Sequence, residues 1–232
     1  MAQPLTPDLS QPITYPDRDG QPMADNTQQF RWIVTIKENL ERLFADNPEV
    51  FIAGDLLWYP VEGQPNLRQA PDVLVVFGRP KGDSPSATLH ERGSYWQWLE
   101  GNIPLQVVFE ILSPGNRFGE MLRKLNFYDR YGVEEYYIYN PDTLELTGLT
   151  RSADTLTLLD TMNSWVSPRL GIRFELTDDG LALYRPDGER FLTYVELGDL
   201  LESARAERQQ DQQRIQTLET KLRELGIDPE SV

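Results

Sequence analysis

The sequence predicts a mixed α/β domain followed by a helical C-terminal extension. Three observations predict it. An early segment carries apolar residues at helical spacing. Two β-branched runs, Val73-Leu74-Val75-Val76 and Val107-Val108-Phe109, are followed by an amphipathic helix and a further strand. The tail places apolar residues alternately four and three apart.

Residues 1–26 hold five prolines and little apolar periodicity, so they read as an irregular arm. From Asn26 to Asp46, Phe30, Ile33, Val34, Ile36, Leu40, Leu43 and Phe44 recur at helical spacing, and Asn47-Pro48 ends the segment. Phe51 to Tyr59 reads as a strand, followed by a connection rich in Pro, Gly, Gln and Asn and then by the strand beginning at Asp72. Arg79 to Asn102 is a long polar excursion, of a kind more often functional than decorative. Leu105 to Leu112 supplies the next strand. Phe118 to Tyr131 is helical, with Gly132 suited to the left-handed position after its end. Tyr136 to Asn140 is a strand. Leu144–Thr150, Thr155–Thr161, Ile172–Leu176 and Leu181–Tyr184 complete the domain, with Asp179-Gly180 and Asp187-Gly188 as turn signals. The expected organisation is an arm over 1–26, one domain over 27–197 and a helical tail over 198–232.

In that tail Leu197, Leu201, Ala204, Arg208, Asp211, Ile215, Leu218, Leu222 and Leu225 trace a coiled-coil seam with two polar interruptions. Two readings stay open: a helix folded back on its own domain, or one that drives homodimerisation or binds a partner helix.

Composition narrows the chemistry. The chain has no cysteine and one histidine, His90, so thiolate and multi-histidine metal sites are excluded and carboxylates become the candidate ligands. Carboxylates with water favour Mg2+ or Mn2+. No signal sequence and no apolar run of membrane-spanning length is visible, which points to a cytoplasmic protein without a membrane partner. The net charge is −15, and from Gln28 to Leu197 16 basic side chains face 25 acidic ones, a net −9. Such a surface repels nucleic-acid phosphates at long range, so contact with nucleic acid requires a local basic patch or bound cations.

The strongest functional signal is a split acidic pair. Asp72 and Glu110 each interrupt an apolar run, where an uncompensated charge is costly. Strand side chains alternate faces, so Glu110 shares a face with Val108 and Leu112, and Asp72 with Leu74 and Val76. If the two strands are neighbours, both carboxylates face one cleft and can hold one divalent cation. Lys124 falls between Tyr128 and Tyr131 at the margin of the apolar stripe of the following helix, from which it can point inward. Its alternative is an exposed pair with Glu120. Asp55 is a possible additional ligand or a turn residue, whereas Glu38 and Glu41 on the first helix read more simply as solvated-face residues.

These residues in this order resemble the PD-(D/E)XK nuclease superfamily, and more closely its bacterial Uma-type family of restriction-endonuclease-like proteins. The matching parts are Pro71-Asp72-Val73, then Phe109-Glu110-Ile111-Leu112-Ser113-Pro114, then Lys124, then a strand leading to Asn140-Pro141-Asp142. The resemblance spans roughly residues 28 to 197. It implies a restriction-endonuclease-like mixed sheet flanked by helices, and a metal-dependent endonuclease that hydrolyses phosphodiester bonds of nucleic acid, DNA in particular. It further implies Asp72 and Glu110 as metal ligands and Asp72, Glu110 and Lys124 as the catalytic set. One departure stands out: the lysine expected two residues after the second acid is Leu112 here.

Two rivals remain. One is a non-catalytic interaction protein on a nuclease fold, assembling through its tail, favoured by the missing lysine and the acidic charge. The other is a metal-dependent hydrolase of a small phosphorylated compound. Within the polar excursion, His90, Arg92, Tyr95, Trp96 and Trp98 read either as a phosphate- and base-contacting loop or, more simply, as packing over the core.

Overall fold

The computed structural model describes residues 13–18, 20, 23–82, 87–88, 91–225 and 228. His90 lies outside them. The chain divides into two compact units, residues 1–191 and 192–232.

In the first unit, helix α1 (Thr27–Leu43) is capped by Asn26, whose side chain accepts from the Gln29 amide, and it buries Ile33, Ile36 and Leu40 on one stripe. Strands β1 (Val50–Gly54), β2 (Trp58–Tyr59) and β3 (Val73–Phe77) follow. The expected continuous strand from Phe51 to Tyr59 is therefore broken. Asp55 takes a left-handed conformation, φ 50°, which no strand accommodates. Short strands β4 (Ala87–Thr88), β5 (Glu91–Arg92) and β6 (Tyr95–Trp96) and a 3-10 turn at Gln97–Leu99 occupy the polar excursion.

Strand β7 (Val107–Ile111), helix α2 (Phe118–Arg130) and strand β8 (Glu135–Asn140) form a parallel crossover unit, and Gly132 follows α2 at φ 89° as its spacing predicts. Strands β9 (Glu145–Ser152) and β10 (Thr155–Leu158) form an antiparallel hairpin, as do β11 (Arg173–Thr177) and β12 (Gly180–Tyr184). Leu144 is a turn residue at φ 57°, so β9 starts one position later than its apolar run.

The main sheet runs β1-β3-β7-β8-β9-β10, with β7 and β8 parallel and the other neighbours antiparallel. It is the mixed α/β architecture that the order of elements predicts. Strand alternation sorts the core into two layers. Val73, Val75, Val107, Phe109, Tyr137 and Tyr139 pack with α1 and the β11–β12 hairpin. Leu74, Val76, Val108, Tyr136 and Leu149 pack with Tyr128 of α2 and with Trp58 and Tyr95. Glu110 and Asp72 keep step with this second set.

The described part of the polar excursion is held by ion pairs and ring contacts. Glu100, with no exposed surface, pairs with Arg92 at 2.8 Å and Arg79 at 2.9 Å, and the Arg92 guanidinium sits 4.0 Å from the centre of the Phe51 ring. Trp96 and Trp98 stack, and Tyr15 of the arm packs against both. Arg92, Tyr95, Trp96 and Trp98 are thus engaged in packing, the simpler of their two readings.

The second unit contains helix α3 (Tyr194–Glu224), opened by a reciprocal cap between Thr193 and Glu196. Its 31 residues span about 46 Å. Leu201, Ile215, Leu218 and Leu225 of the expected seam are exposed. No helix of the described residues is long and apolar enough to cross a membrane.

Candidate functional site

The register of β3 and β7 brings the two acids together. Val73 faces Phe109 in this antiparallel pair, so one further step sets Asp72, which heads β3 rather than lying inside it, opposite Glu110. An Asp72 Oδ2 contact confirms the approach: it accepts from the Ile111 backbone amide at 2.6 Å. Both carboxylates are buried, Asp72 at 8% and Glu110 at 2% exposure.

Glu110 has two side-chain donors, both from α2. Lys124 Nζ donates to Oε2 at 2.7 Å, and Tyr128 Oη donates to Oε1 at 2.5 Å. Four residues apart, the two lie on one helix face, so a single helix serves both oxygens. Lys124 does not pair with Glu120 in the exposed arrangement that its spacing also allowed. Leu112, where the strand lysine would stand, uses its backbone amide to bond the Tyr139 carbonyl at 2.8 Å. The ammonium comes from the helix instead.

The electrostatics are unbalanced. Burial, and then the neighbouring charge of Glu110, push the Asp72 carboxyl up to about 8. Burial opposes the Lys124 ammonium, but Glu110, with help from Asp72 and Glu120, outweighs it and holds Lys124 above the usual lysine range. Burial and Glu110 likewise push the Tyr128 hydroxyl well above its ordinary value. At neutral pH the centre therefore holds Lys124 charged and Asp72 protonated.

A cleft of about 410 Å³ opens onto this centre, lined by Asp72 and Lys124 together with Asp25, Gln29, Asp55 and Glu120 among others. Asp55 thus reaches the cleft as a lining residue, carried there by the turn that ends β1. Glu38 and Glu41 do not: Glu38 pairs with Lys37, and Glu41 with Lys37 and Lys81. Asp25 accepts from Ser113 Oγ at 2.5 Å, which ties the segment before α1 to the turn after β7.

Among the described residues no group of three or more His, Asp or Glu side chains forms a ready-made metal cage. The donor set nevertheless fits a hydrated hard cation. Mg2+ takes one or two carboxylates and keeps several waters. Glu110 also retains a lone pair on each oxygen after its two bonds.

Sequence reasoning missed three residues. Gln29, buried on α1, donates from Nε2 to the Ile111 carbonyl at 2.9 Å and lines the cleft with Asp72. Tyr128 and Tyr136 read as core aromatics because each sits in an apolar run. The only signal available was a polar Gln on the buried stripe of an amphipathic helix.

The fold and the cleft define a mixed α/β protein with a buried two-carboxylate, one-ammonium centre where two central strands meet a crossover helix. The chain belongs to the Uma2 family, described as "Putative restriction endonuclease", whose model matches residues 18–183. Among solved structures it is similar to a protein from Anabaena variabilis described as a "putative nuclease belonging to DUF820", with a TM-score of 0.45, at 12% identity, over 62% of this chain and 72% of that one. No curated protein matches it.

Proposed function

We propose that the protein is a divalent-cation-dependent endonuclease that hydrolyses phosphodiester bonds of nucleic acid, DNA in particular. The observation that carries this reading is the 2.7 Å contact between Lys124 Nζ and Glu110 Oε2. Lys124 stands across from both acids and supplies the positive charge that Leu112 cannot.

Asp72 and Glu110 are the residues that would hold Mg2+ or Mn2+, which when bound lowers the pKa of a water and stabilises charge on a phosphoryl oxygen. Lys124, protonated through the neutral range, orients the attacking water and stabilises the anionic phosphoryl group; it is not a general base. Tyr128 and Gln29 fix the geometry, the first by holding Glu110 and the second by tying α1 to the Ile111 carbonyl next to it. Arg117 and Arg123, exposed at the start of α2, have no carboxylate partner among the described residues and suit phosphate contacts on an otherwise acidic protein.

The test is cleavage of plasmid and single-stranded DNA, and of RNA, with Mg2+ or Mn2+, beside Asp72→Ala and Lys124→Ala. Metal-dependent cleavage lost in both variants supports the reading; a wild-type protein inert on every substrate overturns it.

A second reading has its own observation. The exposed Leu201, Ile215, Leu218 and Leu225 of α3 favour a protein that assembles through its tail, as a homodimer or with a partner helix, with or without catalysis. Light scattering before and after truncation at Gly198 tests this, and an unchanged mass removes self-association.

A further inference from the structure

We infer that Tyr136 is a positioning residue of the acidic centre, its hydroxyl donating to an ordered water that bridges to the Asp72 and Glu110 carboxylates. The inference rests on the reading of this centre as a cation site.

Tyr136 lies on β8 directly beside Val108 in the parallel register, and so on the same face of the sheet as Glu110, two residues further along β7. Its side chain is fully buried, and its ring meets Tyr128 edge-on with centroids 5.0 Å apart. Burial, then Glu110 and Asp72, push its ionisation well above the tyrosine range, so the phenol is a neutral donor beside both acids.

The hydroxyl is nevertheless without a hydrogen-bond partner among the described residues. The other buried tyrosines all have one. Tyr59 donates to the Pro16 carbonyl, Tyr95 to that of Ile103, Tyr128 to Glu110 and Tyr137 to Glu135, while Tyr139 accepts from the Leu181 amide. An unpaired buried hydroxyl is costly, and phenylalanine would fill the same space without it.

What distinguishes Tyr136 is its neighbourhood. Glu110 already receives Tyr128 and Lys124, and Asp72 already receives the Ile111 amide. A water between the phenol and the acids gives the hydroxyl its acceptor and uses the remaining carboxylate lone pairs, within the two to four partners a buried water takes. Hard divalent cations keep such waters, and donors behind them set affinity.

The experiment compares full-length wild type, Tyr136→Phe and the control Tyr137→Phe by thermal melting, by Mn2+ calorimetry and by a high-resolution crystal structure. Tyr136→Phe should melt at or above the wild-type temperature yet bind Mn2+ about 10-fold more weakly or worse. Tyr137→Phe should bind Mn2+ as wild type does. The wild-type crystal should show a water within hydrogen-bond reach of Tyr136 Oη and one of the acids, absent from Tyr136→Phe. A Tyr136→Phe protein with wild-type Mn2+ affinity overturns the inference. So does a crystal in which the hydroxyl turns to a protein carbonyl. If wild type itself binds no Mn2+, the cation reading fails, and the crystallographic water alone decides for or against the role of Tyr136.

Discussion

Two buried carboxylate centres in this molecule are built on opposite principles. Around Glu100, two arginines meet one acid, at 2.8 and 2.9 Å, within the folded-over polar excursion. At Asp72 and Glu110, two acids share one lysine. The first arrangement leaves a surplus of positive charge and needs nothing more. The second has one ammonium for two carboxyls, leaves Asp72 holding its proton, and opens onto a cleft. A buried acid with its countercharges at hand stays paired within the fold; a buried acid that shares one with a second acid keeps its proton instead.

The sharpest way to break this contrast is to remove one charged partner from each centre. Lys124→Ala should lower cleavage per folded molecule by about 10²- to 10⁴-fold, as loss of a residue acting directly on the transferred group does. Glu100→Ala should do the reverse. It strands Arg92, whose side chain is almost wholly buried, and should cost about 3–5 kcal/mol of stability in a denaturant titration, with the activity of the folded fraction retained. Cleavage that survives Lys124→Ala would sink the functional half of the comparison.

A second, smaller effect lies in pH. Asp72 holds its proton up to about pH 8 in the folded chain, against an ordinary value of 3.8, so between those limits the folded state binds a proton that the unfolded state has released. Its contribution is therefore largest at low pH and is lost as pH rises toward 8. Asp72→Asn, which stays neutral, should flatten that part of the profile. The measurement is the difference in melting temperature between wild type and Asp72→Asn from pH 4 to 9 without metal. The variant should gain on wild type as pH rises, and a variant that loses ground to wild type over that range would contradict the desolvated state of Asp72.

The smallest effect is expected at Arg169 and Glu134, a doubly bonded pair that is well exposed on both sides. Arg169→Ala should cost under about 1 kcal/mol in the same titration, since exposed pairs are screened and loosely held. A larger loss would show that exposure is a poor guide to which ion pairs matter here.

How much of this was legible beforehand follows the range of the information. Strand parity assigns each acid a face, and 100° per residue puts Lys124 at a margin from which it can turn inward, both local rules; that β3 and β7 are neighbours and that Lys124 turns to Glu110 rather than Glu120 are not local. The break at Asp55 was hidden because a left-handed aspartate leaves the hydrophobic pattern around it unchanged. Glu100 read as one acid of a polar loop, since its two arginines lie 21 and 8 residues away and no local spacing joins them. Tyr128 and Tyr136 looked like ordinary core because an aromatic ring fills space in the same way whether or not its hydroxyl has work to do. The tail seam was legible as a helix, and a helix from Tyr194 to Glu224 is what the structure has there.

Gln29 has a consequence of its own. Its carbonyl oxygen accepts from the Asp25 amide at 2.8 Å while its nitrogen donates to Ile111 at 2.9 Å, so one side chain is read from both ends at once. Glutamate offers no donor, lysine and arginine no acceptor, and asparagine is one methylene too short for the span. The position therefore works as a gauge block between the first helix and the strand that carries Glu110. Its tolerance to replacement is set by length and polarity together, and a core residue of equal volume would let the two elements settle at a different spacing.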